Sequence, residues 1–221
     1  MSEYVSILIP IYNGIEYIYQ AINSINKQTY TNYEVIIGVN GHNENSDIFK
    51  FASKFSDDKI RVIDLHFIKG KSNALNEMVK LCKYNWIALL DIDDIWLEDK
   101  LLIQMNYTNE YDVIGTYCQY FGDRNNSPKL PVGDISNFNF FEYNPIINSS
   151  ALIKKELAYW DPSLNALEDY DLWLKLKKQG KKIYNVDCIL TLHRIHNDSA
   201  FNSKDHGNLL NEIKNKYKKS I

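Results

Sequence analysis

The stretch WIALLDIDDIWLEDK, residues 86–100, runs apolar residues straight into Asp91, Asp93 and Asp94 and then resumes with Ile95 and Trp96. Carboxylates packed this closely raise one another's proton affinity and cost stability unless a cation or hydrogen-bond donors neutralise them. Their hard oxygens suit a divalent cation, and such a cation can bridge to a diphosphate leaving group. A second acidic pair, Glu168 and Asp169, opens the segment EDYDLWLKL, and LHRIHND gathers His193, Arg194 and His196. A carboxylate within hydrogen-bond reach of a hydroxyl can take its proton during attack.

Three chemistries compete for an Asp-x-Asp-Asp cluster. A calcium loop wants an acidic or amide residue at its fifth position and Gly at its sixth, where this chain has Ile95 and Trp96. A phosphatase of the haloacid dehalogenase type presents its aspartyl nucleophile and general acid as Asp-x-Asp, but normally ends its first strand so, with Thr or Val two places on. Here the motif ends the fourth strand and Ile95 stands in that place. The third chemistry, a metal bridging a nucleoside diphosphate, requires further parts elsewhere in the chain.

The elements that must position these groups follow from hydrophobic period. YVSILIP reads as a strand, followed by Ile15, Ile18, Ile22 and Ile25 at helical spacing; YEVIIGV and KIRVIDL are strands flanking a helix at NSDIFKFASKF. Leu75, Met78, Val79 and Cys82 mark a helical face before the strand NWIALLD. Such alternation predicts an α/β fold with a central, mostly parallel sheet, whose ligands gather outside the carboxyl ends of the strands. The rest reads as a strand DVIGTYCQYFG, a long aromatic loop over 122–148, a helix from Glu168 to Gln179 ended by Gly180, two short strands at KKIYNV and ILTLHRI, and a terminal helix after Ser203. Residues 1–221 suit one domain, about 1–105 forming a donor-binding half and about 106–221 the half with acceptor site and base.

Composition narrows the partners. With 45% apolar and 24% charged residues and a net charge of −3, the electrostatic footprint of a nucleic-acid binder is missing. No stretch approaches the ~20 apolar residues of a spanning helix, and MSEYVSILIP is no secretory leader, so a cytoplasmic protein is expected. Cys82, Cys118 and Cys188 are odd in number and scattered, which favours reduced thiols over bridges or zinc. The basic tail NEIKNKYKKSI reads as a solvated helix end with a weak attraction to anionic lipid.

Four segments in order resemble the inverting glycosyltransferases of family 2, which have the GT-A fold: VSILIPIYNG, GKSNALNEMVK, LLDIDDIW and LEDYDLWLKL. The order and spacing of four motifs is more specific than any one alone. The resemblance implies transfer of a sugar from a nucleotide-sugar donor, UDP-linked by analogy, to a glycan, lipid-linked glycan or protein acceptor, with Mn²⁺ or Mg²⁺. It sets Pro10, Tyr12, Asn13, Lys71 and Asn76 at the nucleotide, Asp91 at the ribose or metal, Asp93 at the metal and Asp169 as base. LHRIHND is similar to the family's Arg-x-His segment, which implies Arg194 at the diphosphate and His196 at the metal. The chain departs from the family after the second strand, where GVNGHNENSD replaces Asp-Asp-Gly-Ser. Asn40 then stands where an acidic residue would contact uracil.

Each role has a plainer rival. Asp94 reads as the cap of a helix starting near Leu97, Glu168 and Asp169 as first-turn acids favoured by the helix dipole, and Lys71 as a solvated helix-start lysine. His193 and His196, on either side of Arg194, read as a structural pair or a metal or phosphate site. Trp96, Leu172 and Trp173 read as core, and the aromatics of 120–143 as packing that holds the loop down. At the level of the whole chain, the aspartyl-phosphate phosphatase and a catalytically silent nucleotide or glycan binder are the alternatives.

Overall fold

The computed structural model describes residues 3–196 and 206–218. Its first half is strand–helix alternation: β1 (Val5–Ile11), α1 (Ile18–Asn26), β2 (Tyr33–Asn40), α2 (Asp47–Ala52), β3 (Ile60–Leu65), α3 (Lys71–Leu81) and β4 (Trp86–Leu89). These four strands are parallel in the order β3-β2-β1-β4. β1 and β2 are buried on both faces, which is why VSILIPI and YEVIIGVN read as continuous apolar runs. The crevice at the carboxyl ends of β1 and β4, where the strand order reverses, is where such sheets bind ligands.

Beyond β4 come β5 (Ile95–Trp96), α4 (Lys100–Met105), β6 (Val113–Gly122), β7 (Gly133–Asp134), β8 (Leu152–Lys154), α5 (Glu168–Lys178), β9 (Ile183–Ile195) and α6 (Gly207–Lys218). The sheet continues through β8, β6, β9 and β5, with β8 antiparallel to β4 and β6, and β6 parallel to β9. The parallel character thus belongs chiefly to the first half. KKIYNV and ILTLHRI are one strand and not two: Asp187 and Cys188 form a bulge where the register against β6 slips between Thr116 and Cys118. A bulge adds twist and re-aims the strand's far end, and that end carries His193 and Arg194. The two-residue strand β5 is too short to show a period.

Core packing covers both sheet faces. Ile18, Ala21, Ile22 and Ile25 of α1 are buried on one, each isoleucine contributing about 1.5–3 kcal/mol. On the other, α3 presses so close to β2 that a Cβ on Gly38 would stand 2.6 Å from Met78 Sδ. That approach sets Lys71, at the start of α3, beside the sheet's carboxyl edge. Trp96, Leu172 and Trp173 are buried as expected. In the aromatic loop Phe140 is fully buried, while Phe138 and Phe141 pack against the same core and Tyr143 against Phe138. The basic tail helix is not simply solvated. Ile213 and Tyr217 are buried, and Lys216 spends its charge on Asp161 and Asp171, each at 2.9 Å.

Lys100 is fully buried, its Nζ 4.0 Å from the centre of the Trp96 ring and 2.7 Å from Gln104 Oε1. Burial pushes its proton affinity well below the lysine range. The unfolded chain therefore holds a proton that the native state releases, so this residue's contribution to stability grows as pH rises toward the unfolded lysine value. Lys100→Met should melt higher than the parent at pH 7, and the gap should narrow as pH rises to 9.5. Paired thermal melts check this; a gap independent of pH would refute it.

Candidate active site

β4 ends at Leu89, and the backbone then turns sharply, Asp94 N–H donating to Asp91 C=O at 3.0 Å. β5 pairs Ile95 and Trp96 with Leu192 and Thr191 of β9, which lays the end of β9 across the acidic turn. The three carboxylates are thereby given three different surroundings.

Asp94 is fully buried and is not a helix cap. It faces His193 Nδ1 at 3.0 Å and accepts the Arg194 backbone N–H at 2.8 Å. α4 starts only at Lys100, after Asp99, whose side chain makes no capping bond. Burial would drive the His193 proton off, but the Asp94 carboxylate outweighs it and raises the imidazole to about 9, so Nδ1–H donates at neutral pH.

Asp93 carries its Oδ2 3.0 Å from His196 Nε2. Burial, then the charges of Asp94 and Asp91, push its proton affinity up, and the His196 hydrogen bond opposes them. Arg194 braces the same turn: its Nε donates to Asp93 C=O at 2.8 Å and its terminal NH₂ to Gln20, while its plane lies between the Tyr17 and Phe121 rings. The two histidines, grouped by sequence as one pair, serve different carboxylates.

Asp91 turns the other way. Its Oδ1 lies 2.6 Å from Lys71 Nζ, and the Asn148 amide donates to both carboxylate oxygens at 3.1 Å. Burial raises its proton affinity, yet Lys71 and Asn148 more than reverse this, and the net shift is downward. Asp91 thus already has a cation and an amide donor beside it. Lys71 also stands 3.3 Å from Glu168 Oε1, so the half-buried start-of-helix lysine is paired on two sides and not merely solvated. It links the acidic turn to α5.

At the head of α5, Asp169 accepts a hydrogen bond from Asn144 Nδ2 at 3.0 Å. Burial first, then the neighbouring Glu168 charge, raise its carboxyl to about 6, with Lys71 and Asn144 pulling the other way. Two adjacent acids thus differ in kind: Glu168 is paired with a cation, and Asp169 is poised to gain a proton near neutrality.

The nucleotide-side residues spread along the edges of β1 and β2. Pro10 lies within β1 opposite Gly38, and Asn40 ends β2, buried. Tyr12, 57% exposed, stacks on His42 with ring centres 5.2 Å apart, and Asn13 is exposed beside it. Gly41 has φ +76°, and a Cβ there would meet the Tyr12 ring at 2.9 Å, so this stack needs glycine. The Asn76 amide donates to Trp160 C=O at 2.8 Å and accepts Trp160 N–H at 3.0 Å, tying α3 to the chain before α5.

Sequence reasoning read 122–148 as a functional loop on the acceptor side but singled out none of Asn144, Asn148 and Ser149. Asn144 and Asn148 serve Asp169 and Asp91, Ser149 Oγ accepts the Asp91 N–H at 3.0 Å, and Trp96 Nε1–H and Gln104 hold the carbonyls of Ser149 and Ser150. The Asn-Pro pair at 144–145 marks a turn, but no spacing rule says which carboxylate an asparagine will find. Asn148 Oδ1 is buried and has no partner among the described residues.

Among the described residues, no group of three or more His, Cys, Asp and Glu converges on one point as a metal cage. Asp93 and His196 nevertheless form a two-donor set, one carboxylate oxygen and one imidazole nitrogen, around a carboxylate still short of positive charge. A divalent ion held by one or two protein groups and completed by substrate phosphates fits that arrangement, and Mn²⁺ accepts the nitrogen more readily than Mg²⁺.

A family model described as glycosyl transferase family 2 matches residues 6–156. The chain belongs to that family: it is an inverting glycosyltransferase of the GT-A fold acting on a nucleotide-diphospho-sugar donor. It is 28% identical over 211 residues to WfaP of Escherichia coli and 30% identical over 214 residues to WfgD of the same organism, each a UDP-Glc:alpha-D-GlcNAc-diphosphoundecaprenol beta-1,3-glucosyltransferase. Those matches cover 91% and 92% of this chain and 81% and 82% of the relatives. Staphylococcus aureus TarS, solved with UDP, superposes with a TM-score of 0.72 at 17% identity over 88% of this chain and 61% of that one. The mannosyltransferase PcManGT of Pyrobaculum calidifontis, solved with GDP-Man and Mn²⁺, gives 0.67 at 14% identity over 90% of this chain and 59% of that one.

Proposed function

We propose that this transferase moves a hexose from a UDP-sugar to a hydroxyl of a saccharide carried on a lipid diphosphate. The observation that carries the reading is the contrast between Asp91, held ionised by Lys71 and Asn148, and Asp169, raised to about 6 on the far side of the same lysine. One acid is suited to the donor and the other to taking a proton. The printed activities of WfaP and WfgD support the donor and the acceptor class.

In this reading the Tyr12–His42 stack and Asn40 flank the base. Asp91 binds the ribose, Arg194 the diphosphate, and the unpartnered Asn148 Oδ1 accepts a donor hydroxyl. A divalent ion at Asp93 and His196, when bound, supplies Lewis-acid stabilisation of the departing diphosphate. Asp169 withdraws the acceptor proton as its oxygen attacks the anomeric carbon, and a single displacement inverts that centre. No helix among the described residues is long and apolar enough to cross a membrane, so a lipid-linked acceptor would be met at a surface. A cytoplasmic location completes the reading.

Calorimetry of UDP binding with and without Mn²⁺ tests the donor half. Asp93→Ala should abolish the Mn²⁺-dependent part and leave the melting temperature near that of the parent; undiminished Mn²⁺-dependent affinity would remove Asp93 from the metal. A thermal-shift series of uridine, guanosine, cytidine and thymidine diphosphates tests the base, because Asn40 replaces an acid. Stabilisation by a non-uridine diphosphate alone would overturn the UDP assignment.

A further inference from the structure

Asp169 sits at the head of α5, and what fixes its carboxylate comes from a different part of the chain. Asn144 is held on three sides. Its Oδ1 accepts the Ile146 N–H at 3.2 Å, Pro145 follows it, and the Pro145 carbonyl takes a hydrogen bond from Asn185 Nδ2 at 2.9 Å. Ile146 itself is fully buried. Because Oδ1 is committed to an N–H, the amide cannot be flipped, and Nδ2 must be the group facing Asp169 Oδ2 at 3.0 Å. An N–H donor stabilises a bare oxygen and disfavours a protonated one. The other groups acting on this carboxylate are the Glu168 charge and the Tyr170 backbone N–H from its own helix and the Lys71 charge from α3; among the described residues Asn144 is the side chain that donates to it directly.

We propose that Asn144 is a positioning residue of the transfer reaction, holding Asp169 Oδ2 as a permanent acceptor so that Oδ1 alone receives the proton of the attacking hydroxyl. The inference rests on Asp169 being the base, and it adds the group that selects the reactive oxygen and keeps the carboxylate ionised until attack. The balance is simple: the O–H bond of the acceptor breaks, its proton moves to Oδ1, and its electron pair forms the new glycosidic bond as the diphosphate leaves.

Two substitutions separate this role from mere shaping of the loop. Asn144→Ala removes the donor. Asn144→Asp keeps the oxygen that accepts the Ile146 N–H but sets a second carboxylate against Asp169. The titration of Asp169, followed by carboxyl ¹³C NMR on the whole chain and assigned by the loss of its signal in Asp169→Asn, should move upward from about 6. The expected displacement is at least about half a pH unit in Asn144→Ala and more in Asn144→Asp. With UDP-glucose, Mn²⁺ and a GlcNAc-diphospholipid, kcat should fall by about tenfold or more while the donor KM holds.

An unchanged titration in Asn144→Asp overturns the proposal, even if Asn144→Ala fails to fold, because the aspartate keeps the turn. Should Asp169→Asn transfer sugar at the parent rate, the base assignment itself falls. Should Asp169→Asn be inactive while both Asn144 variants titrate as the parent does, only the role of Asn144 falls.

Discussion

Asp169→Asn should lower sugar transfer by about 10²–10⁴-fold, the usual contribution of a positioned base, while UDP affinity barely changes. Asparagine keeps the size of the side chain but cannot take a proton. The loss should therefore appear in kcat, with the ground-state complex intact. The parent enzyme should also lose activity as pH falls through about 6, where the buried carboxyl becomes protonated. Glu168→Gln is the internal control. It removes the neighbouring negative charge that helps raise Asp169, so the acid limb should shift to lower pH and activity should survive. Near-normal transfer by Asp169→Asn together with a dead Glu168→Gln would exchange the two roles; activity in both would return these acids to the start of a helix.

His193→Phe should destabilise the fold by about 3–5 kcal/mol, the cost of leaving a buried charge without its partner. Asp94 has no exposed surface, and among the described residues the Arg194 backbone N–H alone would remain to compensate it. For a chain of this length that corresponds to a fall in melting temperature of roughly 10 °C. The double variant Asp94→Leu/His193→Phe should recover most of the loss, because an apolar pair avoids the desolvation penalty that a lone carboxylate suffers. Urea denaturation of the single and double variants completes the cycle. A single-variant loss below about 1 kcal/mol would show that water reaches Asp94 and compensates it.

The ordering of donor-half elements was readable from local chemistry. The short, β-branched apolar runs in YVSILIP and YEVIIGV suit strands buried on both faces, and Leu75, Met78, Val79 and Cys82 share a face on a helix. Motif order added the family, and with it Asp91, Asp93 and Asp169 as the groups to watch. Where local period failed, the reason was physical. β5 is two residues long, and β9 absorbs its extra residues in a bulge that looks like a gap between two strands. α4 begins three residues after Leu97, because Ile95 and Trp96 are drawn into pairing with β9.

By itself the sequence determined which residue types are present and how the elements that carry them alternate, since apolar period and turn chemistry act over a few residues. It did not determine what each acid does. Asp91, Asp93 and Asp94 are near neighbours in the chain, yet one is paired with Lys71 and Asn148, one with His196, and one is sealed against His193. Those partners lie between 20 and 103 positions away, and they arrive only because β9 crosses the acidic turn and α3 packs on Gly38. The proton affinity of a carboxylate depends on burial and on charges within a few ångströms. That distance is set by tertiary packing, so the same three letters become a lysine-paired carboxylate, a histidine-facing one and a sealed structural anchor only in the folded chain.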